Sequence, residues 1–247
     1  MIKGIYASGA GMQPRMARLE VLANNIANVN TTGFKKDNLF VQAMNNAEQA
    51  KASADGELKG LDSKQFTDFS EGSFVETKNP LDIAIQGRGF FAVETPQGIR
   101  YTRNGNFTLA VDGTVVNGQG YPVLTTSGKI QIPQAQKAAE TSISINQHGD
   151  ISVGNVQLGR LRVADFENLN DLKKAGQSIF VTEAKEKPVN ADGNSVIVRQ
   201  GYLEESNVEG IHEMIQLVEL TRSFETDQRT LQAQDTTLER AIDIGRV

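Results

Sequence analysis

The sequence predicts an α+β fold: N- and C-terminal helices pair as a coiled-coil-like domain, and an all-β middle domain lies between them. Three observations carry this. Apolar residues recur at steps of seven near each end, alternation of period two replaces them in the middle, and glycine-containing turn pairs punctuate that middle. The predicted parts are a helix over 1–30, a connecting segment over 31–78, the β domain over 79–205 and a second helix over 206–247.

In the first part Ile5, Met12, Leu19 and Ile26 are spaced by sevens, with Met16, Leu22 and Val29 beside them, which is one stripe of a helix wanting a partner. Pro14 lacks an amide donor and crowds the carbonyl of Ala10, so the helix is expected to kink there or to begin near Gln13. The stretch LANNIANVNTTGFKK (22–36) then concentrates asparagines where the apolar pattern ends. Asn24, Asn25 and Asn28 are expected to point off the stripe, where their amides can donate and accept across to adjacent subunits. The plainer alternative is that they face solvent and fray the helix end. Asn30, Thr31, Thr32 and Gly33 are expected to end the helix and turn the chain.

Residues 31–78 are rich in Ala, Asn, Lys, Gly and Ser and read as a connector with little core of its own. Beyond them LDIAIQ alternates Leu81, Ile83 and Ile85, and NG at 104, DG at 112, HG at 148 and DG at 192 are hairpin signals. Strands are expected near 81–86, 89–94, 99–103, 106–110, 114–117, 142–145, 150–153, 158–166, 178–182 and 195–203. In QGRGFF (86–91) the third glycine of a dinucleotide fingerprint is missing, so Gly87 and Gly89 read as a tight connection and Phe90 and Phe91 as core.

Ser206 and Glu209 have capping-box spacing ahead of the last helix. Leu217, Phe224, Leu231 and Leu238 follow at steps of seven, joined by Ile211, Ile215, Val218, Leu220 and Ile242 in a single long stripe.

Composition narrows the chemistry. The 247 residues contain no cysteine and two histidines, His148 and His212, which excludes thiolate nucleophiles, disulfides and thiolate zinc sites and leaves little for imidazole catalysis. Neither histidine has a nucleophile or carboxylate pair near it in sequence. Asp112 and Asp150 adjoin glycines as hairpin residues do, outside any calcium-loop pattern. The net charge of −5 contains no like-charge block, which recommends neither nucleic acid nor an anionic membrane as partner. No apolar run has the ~20 residues of a membrane span, and the first residues have no apolar core of a signal peptide. No catalytic residue, cofactor or metal is expected. The competing classes are an enzyme with a site dispersed over the β domain and an adhesin-like β module with helical tails.

ANNIANVNTTGFKK (23–36) resembles the N-terminal signature of the flagellar axial proteins, the family of rod, hook and hook-associated subunits. NPLDIAIQGRGFFAV (79–93), YTRNGNFTLAVDGTVV (101–116) and GYPVL (120–124) resemble central blocks of the rod and hook branch, and LEESNVEGIHEMIQLVELTRSFE (203–225) its C-terminal block, in family order. Within that family the likeness is to basal-body rod proteins of the FlgF and FlgG type. The proximal-rod form is favoured on Arg222, Phe224 and Glu225 and on the short stretch between Gly33 and Asn79. The resemblance implies a structural rod subunit of the drive shaft, exported through the flagellar export apparatus without a cleaved signal. It also implies a periplasm-spanning location and stacking with copies of itself and with other rod and hook axial proteins.

Overall fold

The structure of the chain, a computed structural model, describes residues 2–42, 62–132, 143–154, 156–176, 178–182, 187–188 and 196–244. Helix α1 spans Ile2–Ala27 and helix α2 spans Gly210–Ile244, with the remaining regular structure almost all strand. Cα packing divides the chain into two units. The helical unit comprises Met1–Ala27, Asp37–Asp68 and Glu209–Val247, and the β unit comprises Asn28–Lys36 and Phe69–Val208. The stretch 31–78 is thus shared between them.

In the helical unit α1 begins at Ile2, so Pro14 lies inside the helix and does not mark a late start. It ends at Ala27, earlier than the asparagine run suggests, because Asn28 and Thr31 close a turn: the Thr31 amide donates to the Asn28 carbonyl at 3.1 Å and its hydroxyl to Asn28 Oδ1 at 3.2 Å. Competition of short polar side chains with the backbone is the reason. The capping box also does not form. Ser206 Oγ accepts from the Val208 amide at 3.3 Å, and α2 starts one turn later, with the Glu213 amide donating to the Glu209 carbonyl at 3.0 Å.

The two helices lie side by side and antiparallel, since Arg15 reaches Ser223 and Asp227 while Asn25, later in α1, reaches Glu213, earlier in α2. At 100° per residue, Glu213, Leu217, Leu220, Phe224, Asp227 and Leu231 share one face of α2, and all are buried or half-buried. Ile211, Ile215 and Val218, read from the sequence as part of the same stripe, lie with Met214 about 150° around the helix. Their side chains are exposed. α2 therefore has two apolar faces where one was expected, because a seven-residue ladder dense in apolar residues fits more than one line on a helix of 3.6 residues per turn.

Strands β1 (Asp37–Gln42) and β2 (Asp62–Thr67) complete this unit as an antiparallel ladder inside the stretch expected to be a connector.

The β unit contains β3 (Phe74–Glu76), β4 (Ile83–Gly87), β5 (Phe90–Thr95), β6 (Gly98–Thr102), β7 (Phe107–Leu109), β8 (Val115–Asn117), β9 (Leu124–Thr125) and β10 (Gly128–Lys129). It continues with β11 (Ile143–Ile145), β12 (Asp150–Val153), β13 (Val156–Arg160), β14 (Val163–Asp165), β15 (Lys173–Lys174), β16 (Ile179–Val181), β17 (Lys187–Pro188), β18 (Val196–Gln200) and β19 (Tyr202–Glu204). The largest sheet has the order β15-β16-β6-β5-β14-β17, and β11-β12-β13 form a second. Each strand expected from alternation has a counterpart, but 158–166 and 195–203 each break in two, the latter at Gly201.

The DG at 112 and the HG at 148 do turn hairpins, β7 with β8 and β11 with β12. Asn104–Gly105 does not: the Gly105 carbonyl accepts from the Ile83 amide at 3.0 Å, and β6 and β7 belong to different sheets. The DG at 192 lies outside the described residues.

Alternation places Ile83, Ile85, Phe91, Val93, Phe107 and Val123 in one core and Phe90, Tyr101, Phe166 and Phe180 in another. Phe90 and Phe91 thus serve opposite sides of β5, as their adjacency in a strand requires.

Candidate assembly site

The asparagine-rich signature does its work through two polar locks, one in each unit. In the helical unit Asn25, 1% exposed, holds the backbone of Asp37 at two points: its Nδ2 donates to the Asp37 carbonyl at 2.9 Å and its Oδ1 accepts the Asp37 amide at 3.0 Å. The same Nδ2 donates to Glu213 Oε2 at 3.3 Å, and Thr67 Oγ1 donates to Asp37 Oδ1 at 2.7 Å. One amide thereby ties the end of α1 to the start of β1 and to α2. A side-chain amide carries both a donor and an acceptor in one plane, so it can pair with a residue's N–H and C=O together; leucine or glutamate cannot.

This corrects the sequence reading of Asn25, whose amide is bonded within its own chain and does not face outward. Asn24 is exposed, while Asn28 sits in the turn after α1.

In the β unit the lock is ionic. Lys35 and Glu204 side chains are both fully buried and paired, and Lys35 Nζ also donates to the Ser70 carbonyl at 2.6 Å. The second oxygen of Glu204 lies 3.4 Å from Arg103 Nη1, while the first also accepts the Gly72 amide at 3.1 Å. Arg103 further donates to the carbonyls of Ile85 at 2.8 Å and Gly87 at 2.6 Å, and its guanidinium stands 5.4 Å from the centroid of the Phe90 ring. Burial pushes the Lys35 ammonium below the ordinary lysine range, and the Glu204 carboxylate opposes that shift. Burial lowers Arg103 in the same way.

Backbone bonds complete the closure. The Gly33 amide donates to the Glu204 carbonyl at 2.8 Å and the Lys36 amide to Asn207 Oδ1 at 2.7 Å. Gly33 has φ +65, and a Cβ there would stand 2.4 Å from the Asn104 nitrogen, so only glycine fits. TTGFKK and LEESN are therefore two halves of one seam.

Lys35, Arg103 and Glu204 were not singled out by sequence reasoning, since single charged residues ordinarily lie at the surface and only their partners, far away in the chain, make burial tolerable.

The apolar residues expected to serve assembly are distributed unevenly. On α1 Leu22 is buried, Met12, Leu19 and Ile26 are half-buried, and Met16 is exposed. Val29 is half-buried beyond the helix end. On α2 Leu217, Leu220, Phe224 and Leu231 lie on the half-buried face, whereas Ile211, Ile215 and Val218 lie on the open one. Ile5, Leu238 and Ile242 fall within the helices, their side chains outside the described set.

Among the described residues the histidines do not converge on a reactive group: the His212 ring shares a 2.7 Å hydrogen bond with Gln216, and the His148 amide donates to Asn146 Oδ1 at 2.9 Å in a turn. Asp112 accepts from the amide and hydroxyl of Thr114, a turn role. Among the described residues no helix is long and apolar enough to cross a membrane.

Each unit thus has its backbone fixed by buried polar groups, and α2 leaves an apolar face open. Comparison with known sequences gives the family. The family described as flagella basal body rod protein matches residues 5–35, the flagellar hook protein FlgE/F/G D1 domain matches 84–153, and the flagellar basal body rod FlgEFG protein C-terminal family matches 199–244. The chain is 32% identical to the flagellar basal-body rod protein FlgG of Bacillus subtilis over 100% of both chains. It is also 32% identical to the FlgF proteins of Rhizobium meliloti, over 98% of both chains, and of Caulobacter vibrioides, over 92% of this chain and 91% of that one. The chain belongs to the flagellar basal-body rod proteins of the FlgF/FlgG type, and it is a structural subunit of the bacterial flagellar basal body. The locks fall within the matched segments: Asn25 and Lys35 in the first, Arg103 in the second, Glu204 and Glu213 in the third.

Proposed function

We propose that the chain forms the proximal part of the rod by self-association through its terminal helices, stacking with copies of itself and with other rod and hook axial proteins. The observation that carries this is the open row Ile211, Met214, Ile215 and Val218, exposed by 79%, 52%, 53% and 51%. A row of large apolar side chains left in water at helical spacing is a surface awaiting cover. In the rod, neighbouring subunits cover it, the pairing of α1 and α2 extends into coiled-coil-like contacts, and the helices complete their burial only there, coupling the last step of ordering to assembly. The assembled shaft carries torque from motor to hook.

The chain reaches this place through the flagellar export apparatus. Arg222, Phe224 and Glu225 support the proximal position. The double variant Ile215→Ser/Val218→Ser tests the reading: it should fold within about 0.5 kcal/mol of the parent, as exposed sites do, yet fail to restore rods to a deletion strain. Normal rods viewed by electron microscopy in that strain would overturn it. Basal bodies from the deletion strain also place the subunit, since loss of a proximal component leaves no distal rod.

A further inference from the structure

The β1–β2 ladder has one face covered and one open. In its register Asn38 opposes Phe66 and Phe40 opposes Lys64, so these four side chains share a face. Phe40 is 59% exposed and Phe66 47%. On the other face Asp37 is buried and Leu39 half-buried, and α1 packs along β1. A two-stranded ladder is marginal by itself and needs an apolar layer against it; α1 supplies that layer on one side only.

We propose that the Phe40–Phe66 face seats the open row of α2 from a second copy of this chain, a specific contact that rests on the rod-subunit reading. Three features select that occupant. A helix laid on a sheet is a standard way to bury both, and the α2 row is apolar, exposed and of matching chemistry. The chain's own α2 cannot serve, because its other face is engaged with α1 and the open row lies about 150° away from that engagement. Charge also fits at the margin: exposed Lys64 stands beside Phe40, and the α2 row is bordered by exposed Glu219 and Glu225, with Arg222 between them.

Each patch is small beside the roughly 800 Å² per partner of a stable pair, so a single contact is weak. Two different patches meeting head to tail make a heterologous contact, which repeats along a filament wherever its rotation does not close a ring.

Because the chain has no cysteine, each introduced thiol is unique. Full-length Phe66→Cys and Val218→Cys proteins are mixed at high concentration under mild oxidation. The mixed disulfide should form in clear excess over either homodisulfide. In parallel, Phe40→Ser/Phe66→Ser should keep the parent's thermal unfolding, because both sites are exposed, and should raise the concentration needed for polymerisation about tenfold, equivalent to roughly 1.4 kcal/mol per contact. Homodisulfides alone, no disulfide at all, or polymerisation of the serine variant at the parent's concentration overturns the proposal. The rod reading is judged separately by whether deleting the chain removes rods.

Discussion

Lys35 shows how much one side chain can be asked to do. Its ammonium sits against Glu204 with no exposed surface, and Glu204 also holds Arg103. Removing one member of a buried pair leaves a charge without its partner, which costs about 3–5 kcal/mol. Lys35→Met should therefore lower urea stability by up to that order, with Arg103 still facing Glu204; a loss below about 1 kcal/mol would show that the lock contributes little. Asn25→Ala makes the opposite trade. Alanine favours the helix by about 0.7 kcal/mol at most, but the Asp37 amide and carbonyl lose their partners at about 1–3 kcal/mol. The variant should be less stable overall, with faster amide exchange at Asp37, whereas unchanged exchange would refute the clasp.

Asp150 supplies a pH prediction. The Arg160 guanidinium, at 2.6 Å, and then the Asn146 amide, at 2.9 Å, hold its carboxyl below the usual carboxylate range. A lowered folded value means that the stabilisation is fully present above the ordinary value of about 3.9 and fades as pH falls through the lower folded one. In a His148→Gln background, which removes the imidazole from this turn, amide shifts of Asn146 to Asp150 should stay constant from neutral pH to about 4 and move only in stronger acid; adding Asp150→Asn should abolish that acid step.

At the scale of elements, periodicity carries the most. The strand alternation from Ile83 to Phe91 and the apolar ladder of α2 are properties of residues a few positions apart, and they place these elements close to where they occur. β1 and β2 escaped notice because their ladder has little apolar pattern: Asn38 and Lys64 share the open face with Phe40 and Phe66, and Gln65 pairs with Leu39 on the other. Ser206 and Glu209 likewise had the right spacing for a cap, but Ser206 is drawn to the Val208 amide in the seam instead. Local spacing permits such motifs, and tertiary partners choose among them.

For the whole molecule, the seam means that residues 28–36 belong to the β unit and are not a linker to it. A fragment of residues 28–208 should unfold cooperatively, whereas one of residues 37–208 should lose several kcal/mol, because Glu204 and Arg103 then stay buried without Lys35. Equal urea midpoints for the two fragments would contradict this. The sequence by itself determined the terminal helices, most strands, the turns at Asp112 and His148 and, through its motifs, the family. Each of these rests on neighbours in the chain. Only the tertiary structure decided which polar residues go inside and which apolar ones stay out: Lys35 and Glu204 are separated by 169 positions. A charge is tolerated in a core only when its partner arrives from elsewhere, and no local pattern records that arrival.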